Sequence, residues 1–364
     1  MPLSVPAIKR KNAPMSQRSS SGSSGNPSRG SRASGRPTLA ELAQIAGVSP
    51  ITASRALRGV ASVDPDLAKR VREAAAALNY VANPAARTLA SAHSDAVAVL
   101  IPSLSNLLFI DTLEAIHDVL MPRGLEVLIG NFHYSPEEEE KLVRNYLAYQ
   151  PRGILLTGLE QTPATRSLLK ASGIPVVYMM ELSREMGVHS VGFSQEESGA
   201  AVARHLLARG RRHLAYVAAQ LDPRALERGL GFQRVLAGER EVRPPVWLSV
   251  PEPSSVALGG ELFVRLLEAY PDIDGIFFCN DDLAQGAIFE ATRRQVPIPG
   301  RVAVVGFNDL PLSAHMAPRL TSIRTPRAKV GEAAARRLVA LMEGDCRAEP
   351  AIDLGFELVE RESS

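Results

Sequence analysis

The stretch from Thr38 to Ala90, TLAELAQIAGVSPITASRALRGVASVDPDLAKRVREAAAALNYVANPAARTLA, constrains this chain more than any other. It is punctuated as a run of short helices. Thr38 followed three residues later by Glu41 is a capping box, and Leu39, Leu42, Ile45 and Ala46 follow at helical spacing. Gly47 ends that helix, Val48 is an apolar plug, and Ser49 caps a second helix with Pro50 at its first position. The second helix, Pro50 to Leu57, carries the small and polar residues Thr52, Ala53, Ser54, Arg55 and Ala56. Helix, glycine turn, helix is the helix-turn-helix arrangement. A helix this short and small-sided fits a major groove about 12 Å wide, with its first turn toward the base edges. Asp64-Pro65 opens a third helix with Leu67, Val71, Ala74, Ala75 and Leu78 as its apolar stripe, and Asn83-Pro84 starts a last short run to Ala90. On spacing alone a three-helix structural bundle fits as well as a DNA-binding head.

The charge at the start of the chain fits a nucleic acid partner. Formal net charge is only +2, but Lys9, Arg10, Lys11, Arg18, Arg29, Arg32 and Arg36 precede the first acid, Glu41. The tail over 1–36 is rich in Ser, Gly and Pro and buries too little apolar area to order itself, so it is expected to be disordered. A solubilising tail has the same composition. Cys279 and Cys346 give neither zinc spacing nor a disulfide framework, no apolar run reaches the roughly eighteen residues of a membrane span, and the basic start lacks an apolar signal core. A cytoplasmic, nucleoid-associated protein without a membrane partner or a cofactor is expected.

From about His93 short apolar runs alternate with amphipathic helices. The first series is AVAVLI (Ala96–Ile101), LEVLIG (Leu125–Gly130), GILLTG (Gly153–Gly158) and PVVYMM (Pro175–Met180). A second begins after Val191-Gly192-Phe193 with LAYVAA, VWLSV, GIFFCN and VAVVGF. Apolar runs separated by helices imply parallel strands covered on both faces, and two such series imply two doubly wound lobes. The chain is expected to return to the first lobe near Thr325. The lobes are then about 95–193 with 325–350, and about 194–324 with 351–364.

Ligands of open parallel sheets bind beyond the carboxyl ends of the strands. That places Ser103, Ser105, Asn106 and Phe109 after the first run, Glu160 after the third, Asn280 with Asp281 after GIFFC, and Asn308 with Asp309 after VAVVGF. Hydroxyls, amides and carboxylates suit a polyhydroxylated ligand. Arg228, on the helix after LAYVAA, offers a guanidinium fork for a carboxylate or two vicinal hydroxyls. Each has a plainer alternative: Asn and Asp at strand ends cap helices, Ser103 makes a turn with Pro102, and Phe109 belongs to the core. No phosphate-binding loop, G-x-S-x-G, H-E-x-x-H or histidine cluster is present, and adjacent Asp281 and Asp282 point apart, so an enzyme is not expected. A solute-binding protein for sugars would share the two lobes but has no use for a helix-turn-helix.

The blocks TLAELAQIAGVSPITASRAL, VREAAAALNYVAN and PAARTLAS, together with VGFSQEESG, DGIFFCNDDLAQGA, VAVVGFND and PRLTSIRTP, resemble the LacI family of transcriptional regulators over nearly the whole chain. IPSLSNLLF and RLTSIRTPR look closest to its gluconate-utilisation branch. The resemblance implies a helix-turn-helix domain over 37–82 and a hinge helix over 83–92. It also implies a periplasmic-binding-protein-like α/β domain over 93–364, for effector binding and dimerisation. It puts Pro50, Ile51, Thr52 and Arg55 in the major groove of double-stranded operator DNA, with Thr38, Ser49, Ser54, Asn83 and Arg87 as further contacts and Leu89 as a minor-groove wedge. It places Arg228, Asn280 and Asn308 in the effector cleft; the family usually has aspartate where Asn308 stands. The expected protein is a homodimeric repressor of a pseudo-palindromic operator, controlled by a sugar acid such as gluconate or by a sugar, with Arg228 facing the carboxylate. No leucine heptad follows the last strand-like segment, so a dimer is expected and not a tetramer.

Overall fold

A computed structural model describes residues 37–81, 94–240, 242–345 and 349–364. The expected tail, the expected hinge helix with Asn83, Arg87 and Leu89, and Cys346 lie outside the described residues. The chain divides into two compact units, one ending at Asn83 and one beginning at Pro84.

In the first unit, α1 (Leu39–Ala46), α2 (Pro50–Leu57) and α3 (Pro65–Ala77) pack around Leu42, Ala43, Ala46, Ala53, Ala56, Val71 and Ala74. The starts and stops are chemical. The Thr38 hydroxyl accepts from the Glu41 N–H at 3.2 Å while Glu41 Oε2 accepts from the Thr38 N–H at 2.8 Å. Gly47 turns left-handed at φ 64°, a conformation open to glycine, and Arg70 Nη2 donates to the Ala46 carbonyl, tying α3 to the end of α1. Helical spacing puts Ile45 on the apolar face, but it is 59% exposed; Ala43 takes that place, because small side chains let the three short helices approach closely.

The second unit holds two six-stranded sheets. The first contains β1 (Ala96–Ile101), β2 (Glu126–Asn131), β3 (Gly153–Thr157), β4 (Val176–Met179), β5 (His189–Gly192) and β11 (Ala351–Asp353), in the order β11-β5-β4-β3-β1-β2. The second contains β6 (Leu214–Ala219), β7 (Val246–Val250), β8 (Gly275–Phe278), β9 (Ala303–Asn308), β10 (Thr321–Arg324) and β12 (Glu357–Val359), in the order β12-β10-β9-β8-β6-β7. All pairings are parallel except β10 with β12. Helices cover both sheets: α4 (Leu108–Leu120), α5 (Pro136–Leu147), α6 (Pro163–Ser172) and α11 (Arg327–Met342) on the first, α7 (Gln195–Ala208), α8 (Pro223–Ala237), α9 (Val256–Ala269) and α10 (Asp281–Arg293) on the second. Buried β1, β3, β6, β8 and β9 read as unbroken apolar runs for this reason.

The chain passes between lobes three times: after β5, after β10 and between β11 and β12. The expectation that 351–364 belong wholly to the second lobe fails for Ala351–Asp353, which pair with Ser190–Gly192 of β5. Only Glu357–Val359 join the second sheet, against β10. The short connection contains Gly355 at φ 63°, which lets one strand-like segment turn into edges of two sheets.

Candidate functional site

Two surfaces carry the candidate residues. In the first unit, Pro50, Ile51 and Arg55 stand exposed on α2, with Ile51 73% accessible. An isoleucine that exposed in so small a core has no packing role. Arg55 Nη2 donates to Ser62 Oγ at 3.2 Å. Thr52 and Ser54 are half-buried, and the Thr52 hydroxyl lies 2.9 Å from that of Ser49. Thr38 and Ser49 are already engaged as the caps of α1 and α2, so their hydroxyls have a structural use whatever else they touch.

In the second unit a cleft opens beyond the carboxyl ends of both sheets. Its free volume is about 50 Å³, room for a few water molecules. The first lobe contributes Asn106, Leu108, Phe109, Tyr134 and Met180; the second contributes Ala219, Asp222, Arg224, Arg228, Asn280, Phe307 and Asn308; the crossovers contribute Phe193, Gln195 and Thr325. Phe109 both packs in the first-lobe core and faces this space. Ser103 and Ser105 do not reach it: their hydroxyls lie 3.1 Å apart, and Ser103 accepts from the Asn106 N–H in a local turn.

Arg228 is buried and held from three sides. Nε donates to the Arg224 carbonyl at 3.0 Å, Nη1 donates to the Cys279 carbonyl, and the guanidinium stacks 4.0 Å over the Phe307 ring. Asn280 lines the cleft, yet it is the N-cap of α10, accepting from the Leu283 N–H at 3.1 Å, and it exchanges hydrogen bonds with Ser254. Asp281 is therefore not the cap that its place after a strand suggests. Its buried carboxylate instead accepts from the Leu310 N–H and from the hydroxyls of Ser313 and Ser322. Burial pushes its pKa up to about 7. Asp309 is no cap either; it pairs with Arg324 at 2.8 Å and Arg361 at 2.7 Å. Asn308 lines the cleft and sits at φ 108°, a conformational cost that asparagine tolerates better than most residues.

Sequence reasoning misses Arg224. It leaves α8 one turn before Arg228, crosses to the first lobe, and lies 3.1 Å from Glu160, 3.6 Å from Glu181 and 3.2 Å from Asp222. The distances are those of ion pairs, but neither Nη1 nor Nη2 is oriented for a hydrogen bond among the described residues. Gly158, at φ 86°, keeps the first-lobe turn clear; a Cβ there would strike Arg224 Nη1 and the Glu160 carboxylate. Burial first, with nearby Glu160, Glu227 and Asp222 adding, pushes Glu181 up to about 7 against the opposing pull of Arg224. Tyr134 is missed as well. Its hydroxyl is pushed up to about 12 by burial and by Asp222, and both it and His133 adopt positive φ, 57° and 50°. The i, i+4 spacing of two arginines on the helix following a strand is the available signal for Arg224; nothing local marks Tyr134.

Gln195 Oε1 and Thr325 Oγ1, both buried at the cleft wall, likewise have no hydrogen-bond partner among the described residues. Orphaned buried polar groups cost about 1–3 kcal/mol each and are rare unless a bound molecule completes them. Here both donors and acceptors converge on one cavity. No helix among the described residues is long and apolar enough to cross a membrane.

Comparison with known proteins finds a match for each of the two units. The family model for bacterial regulatory proteins of the lacI family matches residues 38–83, and that for a periplasmic binding protein-like domain matches residues 203–364. The chain is 64% identical over 315 residues to the HTH-type transcriptional regulator GntR of Pseudomonas aeruginosa, covering 86% of this chain and 92% of that protein. It is 35% identical to the regulator GntR of Escherichia coli K12, covering 85% and 92%. A crystal structure of a LacI family regulator from Silicibacter pomeroyi superposes with a TM-score of 0.84 at 33% identity, covering 90% and 99%.

Proposed function

Because this chain belongs to the lacI family of bacterial regulatory proteins and is a DNA-binding transcriptional regulator, we propose that it is a repressor whose grip on a pseudo-palindromic operator is set by a sugar acid in the interlobe cleft. The observation that carries the effector class is the set of unmatched polar atoms around one cavity: guanidinium donors of Arg224, and acceptors of Gln195 and Thr325. A molecule with a carboxylate and several hydroxyls, gluconate in the first instance, supplies the complement to each. A plain solute-binding protein would leave exposed Ile51 and Arg55 on α2 without a purpose.

In this proposal the protein acts as a homodimer. Arg55 forks onto a base edge, and Pro50 and Ile51 make apolar contacts in the groove. The hinge segment, outside the described residues, folds against DNA with Leu89 as a wedge whose unstacking cost of a few kcal/mol is offset by contacts of the bent duplex. Effector must bind the two lobe arrangements unequally, since equal binding shifts nothing. In the cleft Arg228, already fixed by Cys279 and Phe307, has its remaining edge for vicinal hydroxyls.

The test has two parts. A panel of sugar acids and sugars is screened for a rise in melting temperature, about 2.7 kcal/mol of added stability being expected at one hundred times the dissociation constant. Operator binding is then repeated with each hit. Arg228→Ala should keep operator affinity and lose the response; a retained response removes Arg228 from the site. Leu89→Ala should weaken operator binding and leave the effector-induced melting shift intact. Unchanged operator affinity in that variant would sink the wedge.

A further inference from the structure

We propose that Arg224 reads the effector's carboxylate by exchanging its partners, giving up Glu160 and Glu181 of the opposite lobe and taking the ligand anion in their place. This rests on the sugar-acid function proposed above and deepens it. Two arginines face the cleft, and their situations differ. Arg228 is committed through Nε and Nη1 to backbone carbonyls and through its face to Phe307. Arg224 makes no oriented hydrogen bond through either terminal nitrogen, although both are buried. A buried guanidinium without directed partners gains most from a carboxylate that can meet it as a fork.

Its present partners are also poor ones. Glu160, Glu181 and Asp222 set three carboxylates around one cation, two of them from the lobe opposite α8. Glu181 Oε2 is itself buried without a hydrogen-bond partner. The ion pair therefore links the lobes but is held at 3.1 and 3.6 Å by charge and not by complementary geometry. A ligand carboxylate arriving with better geometry undoes that link in the same step that binds it. The lobes are then free to re-angle, and the recognition of charge is the event that alters the cleft.

The exchange has a proton signature. Glu181 faces Arg224 and Glu227 on α8, Asp222 ahead of α8 and Glu160 after β3, and burial already pushes it up to about 7 despite the pull of Arg224. Removing the cation and adding a ligand anion both raise it further. Binding at slightly alkaline pH then takes up a proton at Glu181. A brace that merely stiffened the cleft would take up none.

The experiment uses the full chain, with gluconate and its neutral isostere gluconamide as probes, read by calorimetry in two buffers of different ionisation heat. Wild type is expected to prefer gluconate and to take up protons on binding it. Arg224→Gln should lose roughly ten- to hundredfold of gluconate affinity, retain gluconamide binding, and so erase the preference. Glu181→Gln should bind gluconate more tightly than wild type and take up fewer protons, the remainder going to Glu139, which Arg224 also holds down. Preference for gluconate surviving in Arg224→Gln, or weaker gluconate binding in Glu181→Gln, overturns the exchange while leaving a sugar-acid effector standing. A wild type that binds neither gluconate nor any other sugar acid overturns the effector class itself, and this inference with it. Circular dichroism and a thermal melt of each variant without effector verify that the fold is intact.

Discussion

Arg55 is the one cation on the exposed face of α2, and a bidentate base contact from it is worth roughly 1–3 kcal/mol. Arg55→Ala is accordingly expected to weaken operator binding by about that amount and to relax preference at one base pair, with the sugar-acid melting shift unaltered; gel-shift titration against single-base operator variants measures both. At this scale the sequence is legible where a rule ties a residue to a position. Asn106, Phe109, Asn280 and Asn308 follow strands, and all line the cleft. The rule does not say which of them keeps a free polar group. Asn280 is consumed as a helix cap, and Ser103 as a turn, because hydroxyl and amide groups satisfy neighbouring backbone as readily as a ligand. Arg224 is marked in the sequence only by its spacing from Arg228, for a different reason. Its meaning comes from Glu160 and Glu181, which only the tertiary fold brings to it.

Among elements, helix pairs share one device. A Cβ on Gly199 of α7 would strike the Arg228 carbonyl, and one on Gly231 of α8 would strike the Glu196 carbonyl; Gly259 and Gly286 do the same for α9 and α10, and Gly331 for α11 against α4. Helix backbones are thus in direct contact at each crossing. The crossing of α7 and α8 sets the depth of Arg228 and Arg224. Gly231→Ala should cost about 1–3 kcal/mol by overpacking and should also weaken gluconate binding, because α8 must shift away from Glu196. Urea midpoints and a gluconate titration on the same variant measure the two effects, and a stability loss with normal gluconate affinity would show that α8 yields elsewhere. Long apolar runs such as Ala96–Ile101 and Leu214–Ala219 announce their strands. Thr321–Arg324 does not: it is four residues long, polar at all but Ile323, and becomes a strand only by pairing with β9 and β12. Ala351–Val359 resembles one strand for the same reason, since nothing in its composition says that its halves join different sheets.

For the whole molecule, three buried carboxylates set a common trend with pH. Burial pushes Glu139, Glu181 and Asp281 each up to about 7, from ordinary values of 4.5 for the glutamates and 3.8 for the aspartate. Where the folded value is raised, the folded state binds more protons than the unfolded chain between the two values, so the stability these groups contribute is full below the unfolded pKa and is lost as pH rises toward about 7. Without effector, their contribution should lower the melting temperature between about pH 5 and pH 7.5. Glu139→Gln, which removes one titrating group beside Gln161, should flatten that decline; an unchanged slope would show that Glu139 is ionised throughout. The exposed Glu137 and Glu362 and the half-buried Glu140 and Glu290 shift the other way, but carboxylates near the surface contribute little. The three passages of the chain between lobes have a consequence for synthesis. β11 and β12 are edge strands of different sheets, and both come from residues 351–359. On the ribosome, at about 5–20 residues per second, the head over 37–81 is complete long before either lobe has its last strand. Each nascent chain therefore presents a finished helix-turn-helix ahead of the two-lobed unit, and both lobes gain their last strand only once residues 351–359 are made.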